Sequence, residues 1–333
     1  MARLPLVAAA GAVCAGACLV SGYRRDLRDA RHRLDAVERE VISTRFGAVE
    51  YAVRGSGKPM LVSHGIFQGC DGALLSVRAL MPGRRVIAPS RFGYLGSALP
   101  PAATPAGQAD AFVSVLDHLR VDRADVVGIS AGATAALQFA LLHPARVEHL
   151  VIISGNLPGS TTAVAQPSWA RFLNRDLPMW TLRVLNRRLL ARLAGVPRGF
   201  RPSAEDDRFV SEFIDSLFPV ANRAEGIDFD AFISNPDVNG YPLEELTVPT
   251  LLIHARDDPL VRHEAAAEAA GRIPNSTLVT LESGGHLGLG QAERIRSEVD
   301  SFVERIRDDG GLAMTEAEGD QSRPKATQEG VVR

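Results

Sequence analysis

The stretch VVGISAGAT, residues 126–134, decides how the rest of the chain is interpreted. It places Ser130 between Gly128 and Gly132, after two valines and before an alanine-rich run. Because the chain has 30 glycines in 333 residues, such a pattern arises by chance in roughly one such chain in six and is weak evidence alone. The flanking sequence must therefore show whether Ser130 is a nucleophile or a small residue in a tight turn.

Strand and helix patterns alternate on both sides of this stretch. Residues 41–57 alternate β-type side chains around Phe46-Gly47, which predicts an antiparallel hairpin. Residues 104–119 predict an amphipathic helix, with Thr104 as N-cap and Pro105 at the first helical position. The alternation predicts an α/β fold with a mostly parallel central sheet flanked by helices. Further strands are predicted at residues 60–63, 85–90, 124–130, 147–154, 250–255 and 276–281.

A long segment interrupts this alternation. About 95 residues after Ser154 carry no strand pattern, which is too long for a loop in a compact domain. We predict a helical cap over residues 155–245, inserted into a core formed by residues 41–154 and 246–308. Residues 309–333 are polar without an apolar period, so we expect a disordered tail.

The N-terminus carries a separate signal. Residues 4–23 have no charge and are followed by five arginines within residues 24–33. The length just suffices for a membrane-spanning helix, so we predict a single anchor over residues 1–23, a charged juxtamembrane helix over 24–40 and a cytoplasmic catalytic domain. Two alternatives stay open, namely export after cleavage of a signal segment and lipidation of Cys18.

Composition excludes several classes of partner. The formal net charge of −2 gives no reason to expect nucleic acid. Three scattered cysteines form neither a disulfide framework nor a zinc-binding pattern. No metal site, phosphate loop or dinucleotide motif is evident, so we predict no metal and no cofactor. The expected partner is a small molecule, and the oligomeric state is not predicted.

Several reactive side chains fall at predicted strand ends. Ser130 follows one strand, Asp257 and Asp258 follow another, and His286 comes just after the strand at 276–281. Ligands of open parallel sheets bind at the carboxyl ends of the strands. A serine hydroxyl needs an adjacent base to act as a nucleophile, and a carboxylate must hold that base in the correct tautomer. The chain order serine, aspartate, histidine is the one found in α/β-hydrolase triads.

The chain resembles the α/β-hydrolase fold-1 serine hydrolases, a group that contains carboxylesterases, cofactor-free perhydrolases and C–C bond hydrolases. The resemblance covers about residues 46–306. It rests on five segments in order and at similar spacing: SHGIFQG, PSRFGYLGS, GISAG, ARDDPLV and GGH.

The resemblance implies roles for particular residues. Ser130 would be the nucleophile and His286 the base, with Asp258 preferred to Asp257 as the acid. The backbone N–H groups of Ala131 and Ile66 would form the oxyanion hole. Gly128 and Gly132 would leave room for the sharp turn, and His64 would support its loop without reacting.

We therefore expect a membrane-tethered serine hydrolase that forms an acyl-enzyme, with a carboxylic ester of apolar character as the favoured substrate. Perhydrolysis or C–C cleavage on the same triad, and a binding protein without turnover, stay open as alternatives because fold and triad do not fix the reaction. Four side chains of the cap are candidates either for an apolar acyl pocket or for packing of the cap: Trp169, Phe172, Met179 and Trp180.

Overall fold

The computed structural model describes residues 3–78, 82–160 and 167–305, with side chains described from residue 16 onward. The predicted tail at 309–333 lies outside these residues. Within them, eight strands form one sheet in the order β1-β2-β4-β3-β5-β6-β7-β8. The strands are β1 Glu40–Thr44, β2 Gly47–Arg54, β3 Pro59–Ser63, β4 Arg85–Pro89, β5 Ala124–Ile129, β6 Val147–Ile153, β7 Thr250–Ala255 and β8 Ser276–Leu281.

The pairing pattern confirms the predicted fold class. β1 and β2 form the predicted hairpin, with Thr44 opposite Gly47, and β2 is also antiparallel to β4. Every other neighbouring pair is parallel. The helices are α1 Arg3–Asp35, α2 Cys70–Val77, α3 Pro105–His118, α4 Gly132–Leu142, α5 Asp176–Leu185, α6 Arg187–Leu193, α7 Ala204–Ser216, α8 Ala224–Phe229, α9 Asn235–Asp237, α10 His263–Arg272 and α11 at 292–305.

Helices cover both faces of the sheet because successive strand residues point to opposite sides. Val126 of β5 belongs to the apolar cluster under α3, α4 and α10, whereas Val127 belongs to the cluster under α2 and α11. Helix α3 begins as predicted, since the Thr104 hydroxyl accepts a hydrogen bond from the N–H of Gly107 at 3.0 Å. This two-sided packing brings the carboxyl ends of the parallel strands to a common edge.

Helices α5–α9 lie between β6 and β7 in the chain, and α5–α8 contribute residues to a third apolar cluster. Buried polar contacts tie this region to the core. The guanidinium of Arg91 pairs through two hydrogen bonds with the carboxylate of Asp230, and all these atoms are fully buried. The hydroxyl of Tyr94 donates to the same carboxylate. The exact division between cap and core, at residues 155 and 245, stays a prediction.

Helix α1 runs unbroken from Arg3 to Asp35, and its second half packs against the cap region. Ala30 and Leu34 are buried, and Ala30 belongs to the third apolar cluster. The indole N–H of Trp180 donates to the carboxylate of Asp26 at 3.0 Å. The segment predicted as a charged juxtamembrane helix is therefore an arm seated on the folded domain, at least through Asp35.

The structure of helix α1 also bears on the predicted membrane association. Within the part of the chain that the structure describes, no helix is long and apolar enough to cross a membrane. The predicted membrane-spanning anchor over residues 1–23 is therefore wrong, and the membrane partner and the side of the membrane inferred from that anchor lose their basis. Nine of the 20 residues at 4–23 are alanine or glycine, and the same helix continues directly into the arginines at 24–33.

Candidate active site

The turn at Ser130 has the strained geometry expected of a serine on a sharp strand-to-helix turn. Ser130 lies between β5 and α4 with φ 51°, a left-handed conformation that is uncommon for a residue other than glycine. A Cβ on Gly132 would lie 2.1 Å from the Ser63 carbonyl oxygen, and one on Gly128 would lie 2.8 Å from the Ala133 Cα. The two glycines allow the backbone to pack closely around this turn.

His286 lies within hydrogen-bonding distance of Ser130. Its Nε2 is 2.8 Å from the Ser130 Oγ, although the two residues are 156 positions apart in the chain. His286 is buried, whereas Ser130 is partly exposed. The imidazole is thus placed to accept the hydroxyl proton while the oxygen stays accessible to a small molecule.

Asp258 completes a chain of three side chains. Its Oδ2 is 2.8 Å from the His286 Nδ1, and its Oδ1 accepts the backbone N–H groups of Leu260 and Val261 at 2.8 and 3.0 Å. Burial alone would raise the pKa of this carboxyl. Hydrogen bonds from His254 and His286, the charge of His286 and the Val261 N–H outweigh burial and hold the pKa well below its usual range. Asp258 is therefore an anion that can orient the imidazole.

Asp257, the alternative acid, has a different position. Its Oδ1 accepts the N–H of Gly285 at 2.8 Å, and its Oδ2 accepts that of Gly284 at 3.3 Å. The N–H groups of both glycines before His286 are therefore bound by this carboxylate. Asp257 thus fixes the backbone of the loop, and Asp258 contacts the ring.

His254 is a contributor that sequence reasoning left without a role. Its Nε2 lies 2.9 Å from the Val261 carbonyl oxygen and 3.3 Å from the Asp258 Oδ2. His254 is at the end of β7 and is buried. In the sequence, the contact between His254 and Asp258 is indicated only by their spacing of four residues. That spacing does not distinguish His254 from a histidine that packs in the core.

The two predicted oxyanion donors flank the same turn. A Cβ on Gly65 would lie 3.4 Å from the Ser130 Cβ, so the loop carrying Ile66 lies directly against the turn. Among the described residues, no protein acceptor pairs with the N–H of Ile66 or of Ala131. Both N–H groups therefore lack a protein acceptor among the described residues, as the predicted oxyanion role requires.

His64 has no free ring nitrogen in this arrangement. Its Nε2 accepts the backbone N–H of Arg91 at 3.0 Å, and its Nδ1 lies 2.8 Å from the Gly65 carbonyl oxygen. Burial, together with the nearby charge of Arg91, lowers the pKa of His64 well below its usual range. The ring is thus neutral and braces the loop that carries Ile66.

The cap also contacts this loop through Arg223. The Arg223 Nε donates to the Phe67 carbonyl oxygen at 3.0 Å, and its Nη2 donates to Asp71 at 2.7 Å. Sequence reasoning did not detect Arg223, because its contacts join residues more than 150 positions apart.

The cap aromatics divide into two groups. Trp169 and Phe172 are 73% and 62% exposed, whereas Met179 and Trp180 are buried in the cluster that also contains Ala30 of α1. Met179 and Trp180 therefore pack the cap together with α1. Trp169 and Phe172 lie on the outside of the domain in this conformation.

The described residues contain one group with the spacing of metal ligands, formed by Asp125, Glu148 and His149. It lies at the amino ends of β5 and β6, opposite the end of β5 that carries Ser130. Asp125 already pairs with Arg84 at 2.7 Å and with the His149 Nδ1 at 2.6 Å. Both oxygens of the Asp125 carboxylate therefore already bind protein side chains.

Fold and site together define an α/β enzyme of the hydrolase type, and comparison with known proteins gives the family. A family profile described as alpha/beta hydrolase fold matches residues 58–292. The chain is 31% identical over 268 residues to 2-hydroxymuconate semialdehyde hydrolase from Pseudomonas putida, and the match covers 75% of this chain and 88% of that relative. The chain belongs to the alpha/beta hydrolase fold family.

Solved structures agree with this assignment. An alpha/beta hydrolase fold protein from Nakamurella multipartita is 26% identical with a TM-score of 0.64, and the match covers 80% of this chain and 99% of that chain. A thermophilic esterase from Thermogutta terrifontis is 22% identical with a TM-score of 0.60, and the match covers 81% of this chain and 99% of that chain. The esterase therefore shares the fold.

Proposed function

We propose that this protein is a serine hydrolase and that its substrate is a carboxylic ester of apolar character. The observation that carries the proposal is the chain of contacts from the Ser130 Oγ through the His286 imidazole to the Asp258 carboxylate, each step 2.8 Å long. A hydroxyl in this position is a nucleophile only because a base can take its proton.

In the proposed mechanism, Ser130 attacks the substrate carbonyl while His286 accepts the hydroxyl proton. The backbone N–H groups of Ile66 and Ala131 stabilise the oxyanion, and one such donor is typically worth about 10²–10³ in rate. His286 then protonates the leaving alcohol. Water, activated by the same imidazole, releases the acid from the acyl-enzyme.

The preference for an apolar acyl or alcohol group rests on the surroundings of Ile66. This residue and Phe67 are partly exposed beside the turn, and both pack against the third apolar cluster beneath the cap. A substrate carbonyl held at the Ile66 N–H would therefore have an apolar surface next to it. Burial of such surface favours binding by about 25 cal/mol per Å².

A second reaction on the same side chains is hydrolysis of a C–C bond next to a carbonyl. The specific observation in its favour is the 31% identity to a relative named for 2-hydroxymuconate semialdehyde. Both reactions need a nucleophile or activated water at Ser130, so the geometry of the three side chains does not separate them.

The test has two stages. A fluorophosphonate probe should label the wild-type protein and leave Ser130→Ala unlabelled; a folded wild type that is not labelled would indicate a binding protein without turnover. Steady-state assays should then compare p-nitrophenyl esters of increasing chain length with 2-hydroxymuconate semialdehyde. A higher kcat/KM on longer esters supports the ester proposal, and turnover of the semialdehyde alone supports C–C cleavage.

A further inference from the structure

The cap reaches the loop that carries His286 at two separate points. The backbone N–H of His286 donates to the carbonyl oxygen of Gly195 at 3.1 Å. The N–H of Gly290, four residues further on, donates to the carboxylate of Asp206 at 2.8 Å. Gly195 and Asp206 both belong to the segment from the end of α6 to the start of α7. We call residues 284–290 the histidine loop and residues 194–206 the cap segment.

The geometry of α6 explains why Gly195 presents its carbonyl there. The N–H of Gly195 donates to the Arg192 carbonyl oxygen, and the N–H of Val196 donates to that of Ala191, both at 3.0 Å. This pair of bonds is the Schellman arrangement, which ends a helix with a residue in the left-handed region. Gly195 has φ +93° and supplies that conformation.

Space at this contact is limited from both sides. A Cβ on Gly195 would lie 2.2 Å from the His286 Cβ, and one on Gly285 would lie 2.5 Å from the Gly195 carbonyl oxygen. An ordinary carbon–carbon contact is about 3.5–4.0 Å. Any side chain at Gly195 therefore requires the cap segment and the residue that carries the imidazole to separate by roughly 1 Å or more.

We infer that Gly195 is a positioning residue: the cap segment sets the place of the His286 imidazole between Ser130 and Asp258, so alignment of the base depends on seating of the cap. The inference rests on the proposed function for its kinetic consequence. A catalytic group misplaced by about 1 Å can cost roughly 10²-fold in rate. Gly195 contacts the backbone of His286. A substitution at Gly195 should therefore lower kcat more than it raises KM.

The chain offers a matched control for a substitution at Gly195. Gly199 lies in the same segment with φ +78°, and a Cβ there would meet nothing within 4 Å. Both substitutions to alanine impose the same kind of backbone strain, and only the one at Gly195 presses on His286. A second pair is Asp206→Ala, which removes the contact to Gly290, and Ser203→Ala. The latter removes the capping hydroxyl of α7 with its bond to the Asp206 Oδ2, and leaves the Ser203 N–H on that oxygen and the Oδ1 that accepts from Gly290.

The experiment measures kcat and KM on an ester that the wild type turns over, together with the proton NMR resonance of the His286 Nδ1–H shared with Asp258, assigned by its loss in His286→Gln. Gly195→Ala should lower kcat by about 10²-fold, change KM little and shift or abolish the resonance. Asp206→Ala should act in the same direction more weakly, while Gly199→Ala and Ser203→Ala should match the wild type in both readouts.

Two outcomes overturn the inference: wild-type kcat and resonance in Gly195→Ala, or an equal loss in Gly199→Ala, which would indicate general strain in the cap. If Gly195→Ala does not fold, Asp206→Ala and Ser203→Ala replace it as the test. A lower kcat and a shifted resonance in Asp206→Ala alone support the inference, and equal behaviour of the two variants overturns it. If the wild type turns over no ester and no semialdehyde, the proposed function fails, and the resonance still tests the positioning of His286 without any substrate.

Discussion

Asp257 and Asp258 are neighbours in the chain, yet their carboxylates hold different parts of one loop. Asp258 lies 2.8 Å from the His286 Nδ1, and Asp257 accepts the backbone N–H groups of Gly284 and Gly285. The first contact sets the tautomer and orientation of the ring, and the second sets the path of the chain that carries it.

This division predicts unequal effects of the same substitution. In Asp258→Asn the amide would favour the wrong imidazole tautomer, which can lower kcat by about 10⁴-fold. Asp257→Asn keeps a carbonyl oxygen that can accept from Gly285, so we expect a loss of less than about tenfold. Steady-state kinetics on one ester compare the two variants. A larger loss of kcat in Asp257→Asn than in Asp258→Asn would contradict the assignment of Asp258 as the acid.

Stability should depend on pH through His64. The pKa of His64 is lowered in the folded protein because the ring is buried beside Arg91. Above its ordinary value of about 6.5, neither state binds the proton and the contribution of His64 to stability is fully present. As the pH falls below that value, the unfolded chain takes up a proton that the folded ring does not, so stability falls by up to about 1.4 kcal/mol per pH unit.

Urea unfolding at pH 7.5 and 5.5 checks the effect of His64. His64→Gln retains one donor and one acceptor and should show a smaller drop in unfolding free energy between the two pH values. The pKa of His263 is also lowered, by burial and by the charges of His254 and Arg256, so His263→Gln gives the background contribution. An unchanged pH dependence in His64→Gln would show that another group is responsible.

The buried ion pair between core and cap should be costly to break from one side. Asp230→Asn leaves the fully buried Arg91 guanidinium without a counter-charge, and loss of one partner of such a pair costs about 3–5 kcal/mol. The double variant Arg91→Met with Asp230→Leu removes both charges and should recover much of that loss. Denaturant unfolding of Arg91→Met, of Asp230→Leu and of the double variant gives the coupling, and additive losses in this cycle would contradict a direct pair.

Substitutions at two leucines of α1 test whether the second half of this helix packs on the folded domain. Leu34 is 6% exposed, whereas Leu19 is 57% exposed. Replacement of a buried leucine by alanine costs about 2–5 kcal/mol, so Leu34→Ala should lower the free energy of unfolding by an amount in this range. Leu19→Ala should stay within about 0.5 kcal/mol of the wild type, and equal effects would mean that α1 is not seated.

Local pattern predicted most of the fold because strands and helices here carry their own periodicity and turn residues. Thr104 and Pro105, for instance, identify the start of α3 from chemistry within four residues. The close approach of Ser130, His286 and Asp258 was also expected, since each comes after a parallel strand. Their roles as reacting groups stay a proposal.

Contacts between distant segments were not predictable in the same way. Arg223 with Phe67, and Gly195 with His286, depend on how the cap folds back over the sheet. The anchor predicted at the N-terminus rested on the length of residues 4–23 and their lack of charge, and neither property reveals that the same helix continues through the arginines and packs against the cap. The packing of Trp180 against Tyr23, with ring centroids 5.5 Å apart, shows where the second half of that helix belongs.

The contact between Gly195 and His286 also bears on how such enzymes can be recombined. Exchange of caps between relatives would test how the cap affects substrate range, because the helices α5–α9 lie between β6 and β7 whereas the proposed reacting groups follow the strands of the core. In this chain a donor cap would arrive without the carbonyl and the carboxylate that fit residues 284–290. The transplantable unit is therefore residues 194–206 together with 284–290, two pieces far apart in sequence that have to come from the same parent.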